Sequence, residues 1–161
     1  MLGPLVNPSR PAKQLIGVYN LELARLYQYL HQEENRKCAI VHALDGYDEI
    51  SLTGAFKVIT NDAETVYQPT QLGLKTLKQS DIYGGATIEE SGDIFLNVLQ
   101  GKATTGQTEV VLANAGLALF IGQELNDLTE GVELARESIL SGAAYQAFQT
   151  FMNPAKTQIT V

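Results

Sequence analysis

The sequence predicts an α/β fold in which a mostly parallel sheet is flanked by helices. Three observations carry that expectation. The run Cys38-Ala39-Ile40-Val41-His42-Ala43-Leu44 is continuous rather than alternating in its apolar character, as expected of a buried strand. A strand and a helix precede it, and strand–helix–strand implies a right-handed βαβ unit with a parallel pair. The front of the chain reads as strands and the back as helices, so helices are available to cover the sheet.

The elements follow in order. Residues 2–11 contain Gly3, Pro4, Pro8 and Pro11 and read as loop. Gln14 to Tyr19 reads as a buried strand. Asn20 suits the N-cap of a helix from about Leu21 to His31, whose Leu23, Leu26, Tyr27 and Leu30 follow helical spacing. The polar run Gln32 to Lys37 ends it, and the Cys38 strand follows. Thr53 to Thr60 and Glu64 to Gln68 read as further strands, with Asn61-Asp62 turning a hairpin between them. Pro69 to Ala86 reads as a looped region.

Three helices close the chain. The first runs from about Thr87 to Gln100, with Glu89 and Glu90 in its opening turn and Gly101 as its stop. The second, about Thr108 to Gly122, is apolar nearly all round and is expected to be central and buried. The third runs from about Leu128 to Met152, and Gly142 either weakens its middle or breaks it in two. A βαβ start with helices to spare suggests a sheet lacking some of its strands, hence part of a larger domain.

Composition narrows the function. The chain has 161 residues, 45% of them apolar and 18% charged, which fits one globular domain with a sizeable core. Its net charge is -7, and its basic residues are scattered, Arg36-Lys37 being their one adjacent pair. Nucleic acid and anionic membranes require clustered Lys and Arg, so neither is an expected partner. The start of the chain lacks the basic and apolar regions of a signal peptide. Cys38 is the lone cysteine; it lies within a strand as a small apolar side chain and fits a cytoplasmic setting.

The chemistry concentrates in Asp45-Gly46-Tyr47-Asp48-Glu49, directly after the Cys38 strand. Ligands of open α/β sheets bind at the C-terminal ends of strands. Asp48 and Glu49 repel each other unless a cation or basic partner neutralises them, so they suit a hard divalent ion with oxygen ligands. A merely solvated acidic turn is the alternative. Gly46 supplies turn freedom. His42 either borders the site or is a partly buried structural residue, and His31 offsets a helix-end dipole. Gly84-Gly85 reads as a helix-entry turn rather than a phosphate loop. Arg10 and Lys13 either meet an anion or are solvated.

Leu2-Gly3-Pro4-Leu5-Val6-Asn7-Pro8, then Leu15-Ile16-Gly17-Val18-Tyr19, His42 and Asp45-Gly46-Tyr47-Asp48-Glu49-Ile50-Ser51, together resemble the anthranilate phosphoribosyltransferases. Gly84-Gly85, Leu112-Ala113-Asn114-Ala115 and Gly131 through Ala135-Arg136-Glu137 extend the resemblance along nearly the whole chain. It implies a catalytic domain of the nucleoside phosphorylase/phosphoribosyltransferase type. It also implies transfer of a phosphoribosyl group from phosphoribosyl pyrophosphate to anthranilate in tryptophan biosynthesis, with Mg²⁺ held by Asp48 and Glu49. Tyr47 stands where the family often carries a smaller aliphatic residue.

Residues 1–161 resemble the C-terminal portion of the α/β catalytic domain. The family's N-terminal helical domain and its phosphate-binding half have no counterpart in this sequence, and Met1 falls where the family has an ordinary internal residue. The isolated chain is therefore expected to be inactive, and homo-oligomers are possible. Two other readings stand beside it: a pyrimidine nucleoside phosphorylase-like enzyme, and a non-catalytic remnant or binding module of the same fold.

Overall fold

The computed structural model describes residues 7–32 and 36–153. Leu2 to Val6 of the expected opening loop, with most of the Gly-Pro-Leu motif, lie outside the described residues, as do Glu33 to Asn35 of the polar run. The first strand, β1, spans Lys13–Gly17, followed by α1 at Leu21–Gln32 and β2 at Lys37–Ala43. Then come β3 at Phe56–Thr60 and β4 at Glu64–Tyr67. The helices α2 (Ile88–Leu99), α3 (Thr105–Gln123), α4 (Leu128–Leu140) and α5 (Ala143–Met152) complete the chain. Two 3-10 turns, Pro69–Leu72 and Gln79–Ile82, lie within the segment expected to be loop.

The four strands lie in the order β1-β2-β3-β4. The expected βαβ unit is present: β1 and β2 pair in parallel, with Lys13 opposite Lys37 and Gly17 opposite Val41. The expectation of a mostly parallel sheet is overturned, because β2 pairs antiparallel with β3 and β3 antiparallel with β4. Helix occupies 51% of the described residues and strand 15%, so the fold is mostly helical around a small mixed sheet. The reason is the connection. A parallel strand needs a crossover, usually helical, whereas residues 44–55 form no helix. They fold back as a wide hairpin loop closed by the Leu44 amide on the Ala55 carbonyl at 2.8 Å.

The sheet separates two apolar clusters. Cys38 and Ile40 of β2 join Ile16, Val18, Ala24, Tyr27 and Ile59 beneath α1. Ala39, Val41 and Ala43, the alternate residues of β2, join Phe56, Val58, Leu112, Leu117, Leu128 and Val132 on the side of α3 and α4. That two-sided burial is why β2 carries an unbroken apolar run. Each fully buried Leu or Val in these clusters contributes about 1.5–3 kcal/mol relative to exposure.

Helix boundaries follow their caps. Thr87 accepts a hydrogen bond from the Glu90 amide and caps α2. Helix α3 begins earlier than its apolar run because Thr104 and Gln107 form a reciprocal capping box. It is central, as expected: it packs against α2, α4, β1 and β2. The α3–α4 crossing is close, since a Cβ on Gly131 would stand 2.3 Å from the Gly116 carbonyl oxygen. The expected long final helix is broken at Gly142, which has φ +79° and starts α5.

Candidate functional site

The acidic pentapeptide occupies the β2–β3 loop. β2 runs into it directly, and the Gly46 amide donates to the Ala43 carbonyl at 2.9 Å, turning the chain at once. Gly46 has φ +108°, the left-handed region that its missing side chain permits. Tyr47 is half-buried and packs against the core beside α3. Asp48 and Glu49 are exposed. Neither carboxylate has a hydrogen-bond or ion-pair partner among the described residues.

Beyond Glu49 the chain dives into the core. Ile50 and Leu52 are fully buried, and Ser51 nearly so. Leu52, with φ +59°, receives the Leu77 amide on its carbonyl at 2.9 Å. Asp45, unlike its two acidic neighbours, is occupied within the loop. Its carboxylate accepts the Thr53 hydroxyl and lies 3.4 Å from the Ser51 hydroxyl, whose oxygen stands 2.7 Å from that of Thr53. Asp45 thus braces the loop, in keeping with a turn-capping role.

Two residues that the sequence reading left without a role at this site hold it from below. Gly17, at the end of β1, lies against the Asp48 backbone: a Cβ there would sit 1.8 Å from the Asp48 carbonyl oxygen. Asn114 of α3 accepts the Ile50 amide at 2.9 Å and donates to the Ile50 carbonyl at 2.8 Å. Both had a signal in the sequence. A glycine within a strand pattern marks close backbone approach, and an Asn inside an apolar helix needs partners.

Other candidates resolve as structural. His42 is buried, and its Nδ1 pairs with the Val18 carbonyl at 2.9 Å, a geometry that requires a proton on Nδ1 and ties the end of β2 to the chain leaving β1. His31 stands in the last turn of α1 and is buried there, stacked on Tyr27 with ring centroids 6.3 Å apart. Gly84-Gly85 does form a helix-entry turn, whose Gly84 carbonyl accepts the Ser91 hydroxyl at 2.7 Å. Burial pushes the Cys38 thiol up, away from the thiolate that nucleophilic chemistry needs.

Lys13 meets an anion after all, but at the far end of the strands. Its Nζ donates to the Gly122 carbonyl at 2.7 Å and lies 3.0 Å from Glu124, which also pairs with Lys37. These lysines start β1 and β2 and are register partners. Hydrogen bonds and charge from Lys37 and Lys13 hold the Glu124 carboxyl down at about 2. A hollow of about 460 Å³ lined by Lys37, Asn61, Phe120 and Glu124 opens there, a strand length of roughly 20 Å from the acidic loop.

Among the described residues no group of three or more His, Cys, Asp or Glu side chains gathers as a metal cage. The donor set offered is the pair Asp48 and Glu49 alone. That fits a magnesium ion better than calcium or zinc, because magnesium keeps several waters and is typically held by one or two carboxylates together with substrate phosphates.

A carboxylate-bearing loop at the C-terminal end of a strand stands where ligands of α/β folds bind. Residues 1–145 match the profile of the glycosyl transferase family, a/b domain, and the chain belongs to that family. It is 54% identical over 149 residues to the anthranilate phosphoribosyltransferase of Cytophaga hutchinsonii, covering 92% of this chain and 45% of that enzyme. Among solved structures, the anthranilate phosphoribosyltransferase of Saccharomyces cerevisiae in complex with PRPP and Mg superposes with a TM-score of 0.82 at 28% identity, over 94% of this chain and 44% of that one. The same yeast enzyme in complex with 4-fluoroanthranilate gives 0.83 at 27% identity, over 94% and 45%.

The chain thus spans about 45% of the length of the curated relative it matches. The expected kinship with a C-terminal part alone is corrected. The strong homology is to full-length anthranilate phosphoribosyltransferases, and the coverage measures a length without drawing a C-terminal limit. No helix among the described residues is long and apolar enough to cross a membrane.

Proposed function

We propose that this chain carries the magnesium-holding loop of an anthranilate phosphoribosyltransferase, which transfers the phosphoribosyl group of phosphoribosyl pyrophosphate to the amine of anthranilate in tryptophan biosynthesis. The observation that supports it most is the pair Asp48 and Glu49, exposed and without protein partners on an otherwise well-braced loop. The sequence identity to Cytophaga hutchinsonii anthranilate phosphoribosyltransferase supports the reaction. A cytoplasmic setting belongs to the same reading, supported by the lone thiol Cys38, buried and unpaired.

Pyrophosphate leaves poorly until its charge is offset, and a bound magnesium ion supplies that offset without proton transfer. Asp48 and Glu49 would hold the ion, and magnesium bound by so few protein oxygens is typically shared with water and substrate phosphates. Displacement at an anomeric carbon passes through an oxocarbenium-like state. The chain's task is therefore positioning and charge balance rather than strong base catalysis.

The test is a titration of the chain with Mn²⁺, a stand-in for magnesium read directly by EPR, with and without pyrophosphate. Binding is expected to be weak alone and stronger when pyrophosphate is present. Asp48→Asn and Glu49→Gln are each expected to weaken it at least tenfold while leaving the melting temperature unchanged, since both side chains are exposed and unpartnered. Undiminished binding by the double variant overturns the assignment.

A further inference from the structure

We infer that Asn114 is the positioning residue of this site, its carboxamide setting the backbone on which Asp48 and Glu49 meet a hard divalent cation. The inference rests on the magnesium reading above and assigns the loop's geometry to a helix that carries no ligand itself.

Asn114 lies on α3 within the apolar stretch from Val110 to Ile121, where an unsatisfied amide would be costly. Two of its three hydrogen bonds go to one residue. Oδ1 accepts the Ile50 N–H at 2.9 Å, and Nδ2 donates to the Ile50 carbonyl at 2.8 Å and to the Val110 carbonyl, one turn back on α3, at 2.9 Å. The side chain thereby presents to Ile50 what a neighbouring strand would present, an acceptor and a donor side by side, at a point where the sheet has ended.

The consequence falls on Glu49. The Ile50 N–H belongs to the planar Glu49–Ile50 peptide, so Asn114 fixes the orientation of that plane. The preceding Asp48–Glu49 peptide is fixed by β1, where the Asp48 carbonyl lies against Gly17 with no room for a Cβ between them. Two consecutive peptide planes define the backbone angles of the residue they share. The Glu49 Cα, and with it the direction in which the acidic pair projects, is held between β1 and α3. Burial of Ile50 and Leu52 supplies the anchor; it does not set the rotation of the peptide about its own axis, which the amide does.

The experiment compares wild type, Asn114→Ala and Val132→Ala, the last being a buried truncation on α4 that leaves the loop's hydrogen bonds intact. Amide hydrogen exchange is measured without metal, and Mn²⁺ affinity by EPR with pyrophosphate. Loss of Asn114 is expected to accelerate exchange at Ile50 at least tenfold beyond the change in Val132→Ala. It is also expected to weaken Mn²⁺ binding on the order of tenfold, as for groups that orient metal ligands, while Val132→Ala lowers the melting temperature and keeps the affinity. Equal effects of the two variants on exchange and affinity would reduce Asn114 to a packing residue and overturn the inference. If wild type itself fails to bind Mn²⁺, the magnesium reading falls. Exchange at Asp48 to Ile50 then decides alone: faster exchange in Asn114→Ala sustains the loop-setting role, and unchanged exchange ends it.

Discussion

Replacing Gly17 with alanine tests the support of the acidic loop most directly. The new Cβ would lie 1.8 Å from the Asp48 carbonyl oxygen, 2.9 Å from its carbonyl carbon and 3.6 Å from its Cβ. A carbon–oxygen contact relaxes to about 3.3 Å, so the two backbones must part by roughly 1.5 Å. Both belong to the main chain, one in β1 paired with β2 and the other in a loop held by Asn114, so neither yields as a flexible side chain would. Overpacking of this kind costs typically 1–3 kcal/mol, and the rigid setting places Gly17→Ala near about 3 kcal/mol. For a chain of this size that lowers the melting temperature by roughly 6–12 °C. Moving the Asp48–Glu49 peptide also changes the direction in which the two carboxylates project, so Mn²⁺ affinity should fall with stability. Thermal denaturation by circular dichroism and Mn²⁺ titration read the two effects. Gly92→Ala on α2, where an added Cβ meets nothing within 4 Å, makes the same chemical change in open space and should be neutral or stabilising by up to about 1 kcal/mol. A Gly17→Ala variant that melts within about 1 °C of wild type and binds Mn²⁺ normally would refute the close-approach argument.

Two further substitutions probe the frame. Gly131→Ala drives a methyl into the Gly116 carbonyl at 2.3 Å across the α3–α4 crossing. It should cost about 2–3 kcal/mol without altering the acidic loop, seen as a lower melting temperature; a melting temperature equal to wild type would show that the helices part freely. Glu124→Gln removes a carboxyl held at about 2, below its ordinary 4.5, by Lys37 and Lys13. Because the folded-state value is depressed, its stabilising contribution is present above about pH 4.5 and disappears as the pH falls toward 2. The variant should therefore lose less stability than wild type over that window in melting curves recorded against pH, and parallel curves would show that the pair contributes nothing.

The sequence carried the parts of the fold that are local. The unbroken run from Cys38 to Leu44 announced a strand covered on both faces, and Ile40 and Val41 do face different clusters. Asn61-Asp62 marked the β3–β4 hairpin, and Gly142 marked a helix break. The sheet's direction was misjudged because the βαβ rule was extended past its warrant. The absence of any helical pattern between Leu44 and Phe56 was the sign that β3 returns antiparallel. At the site, the pentapeptide's carboxylates were visible by type and spacing alone. Gly17 and Asn114 were not assigned to it, because a backbone approach with no room for a Cβ and a double hydrogen bond join residues 31 and 64 positions apart, which no local pattern encodes.

The closure of the β2–β3 hairpin beneath its loop has a consequence for how such a chain can change. The Leu44–Ala55 hydrogen bond and the Ala43–Phe56 pairing complete the sheet before the acidic segment begins, so strand register is settled independently of what the loop contains. The exposed stretch from Asp45 to Glu49 behaves as a cassette: substitutions there can change the loop's charge without turning β2 or β3 inside out. The limits on that freedom lie in the buried Ile50 and Leu52 that follow, in the bare backbone of Gly17 and in the amide of Asn114, whose shapes any new loop would have to fit.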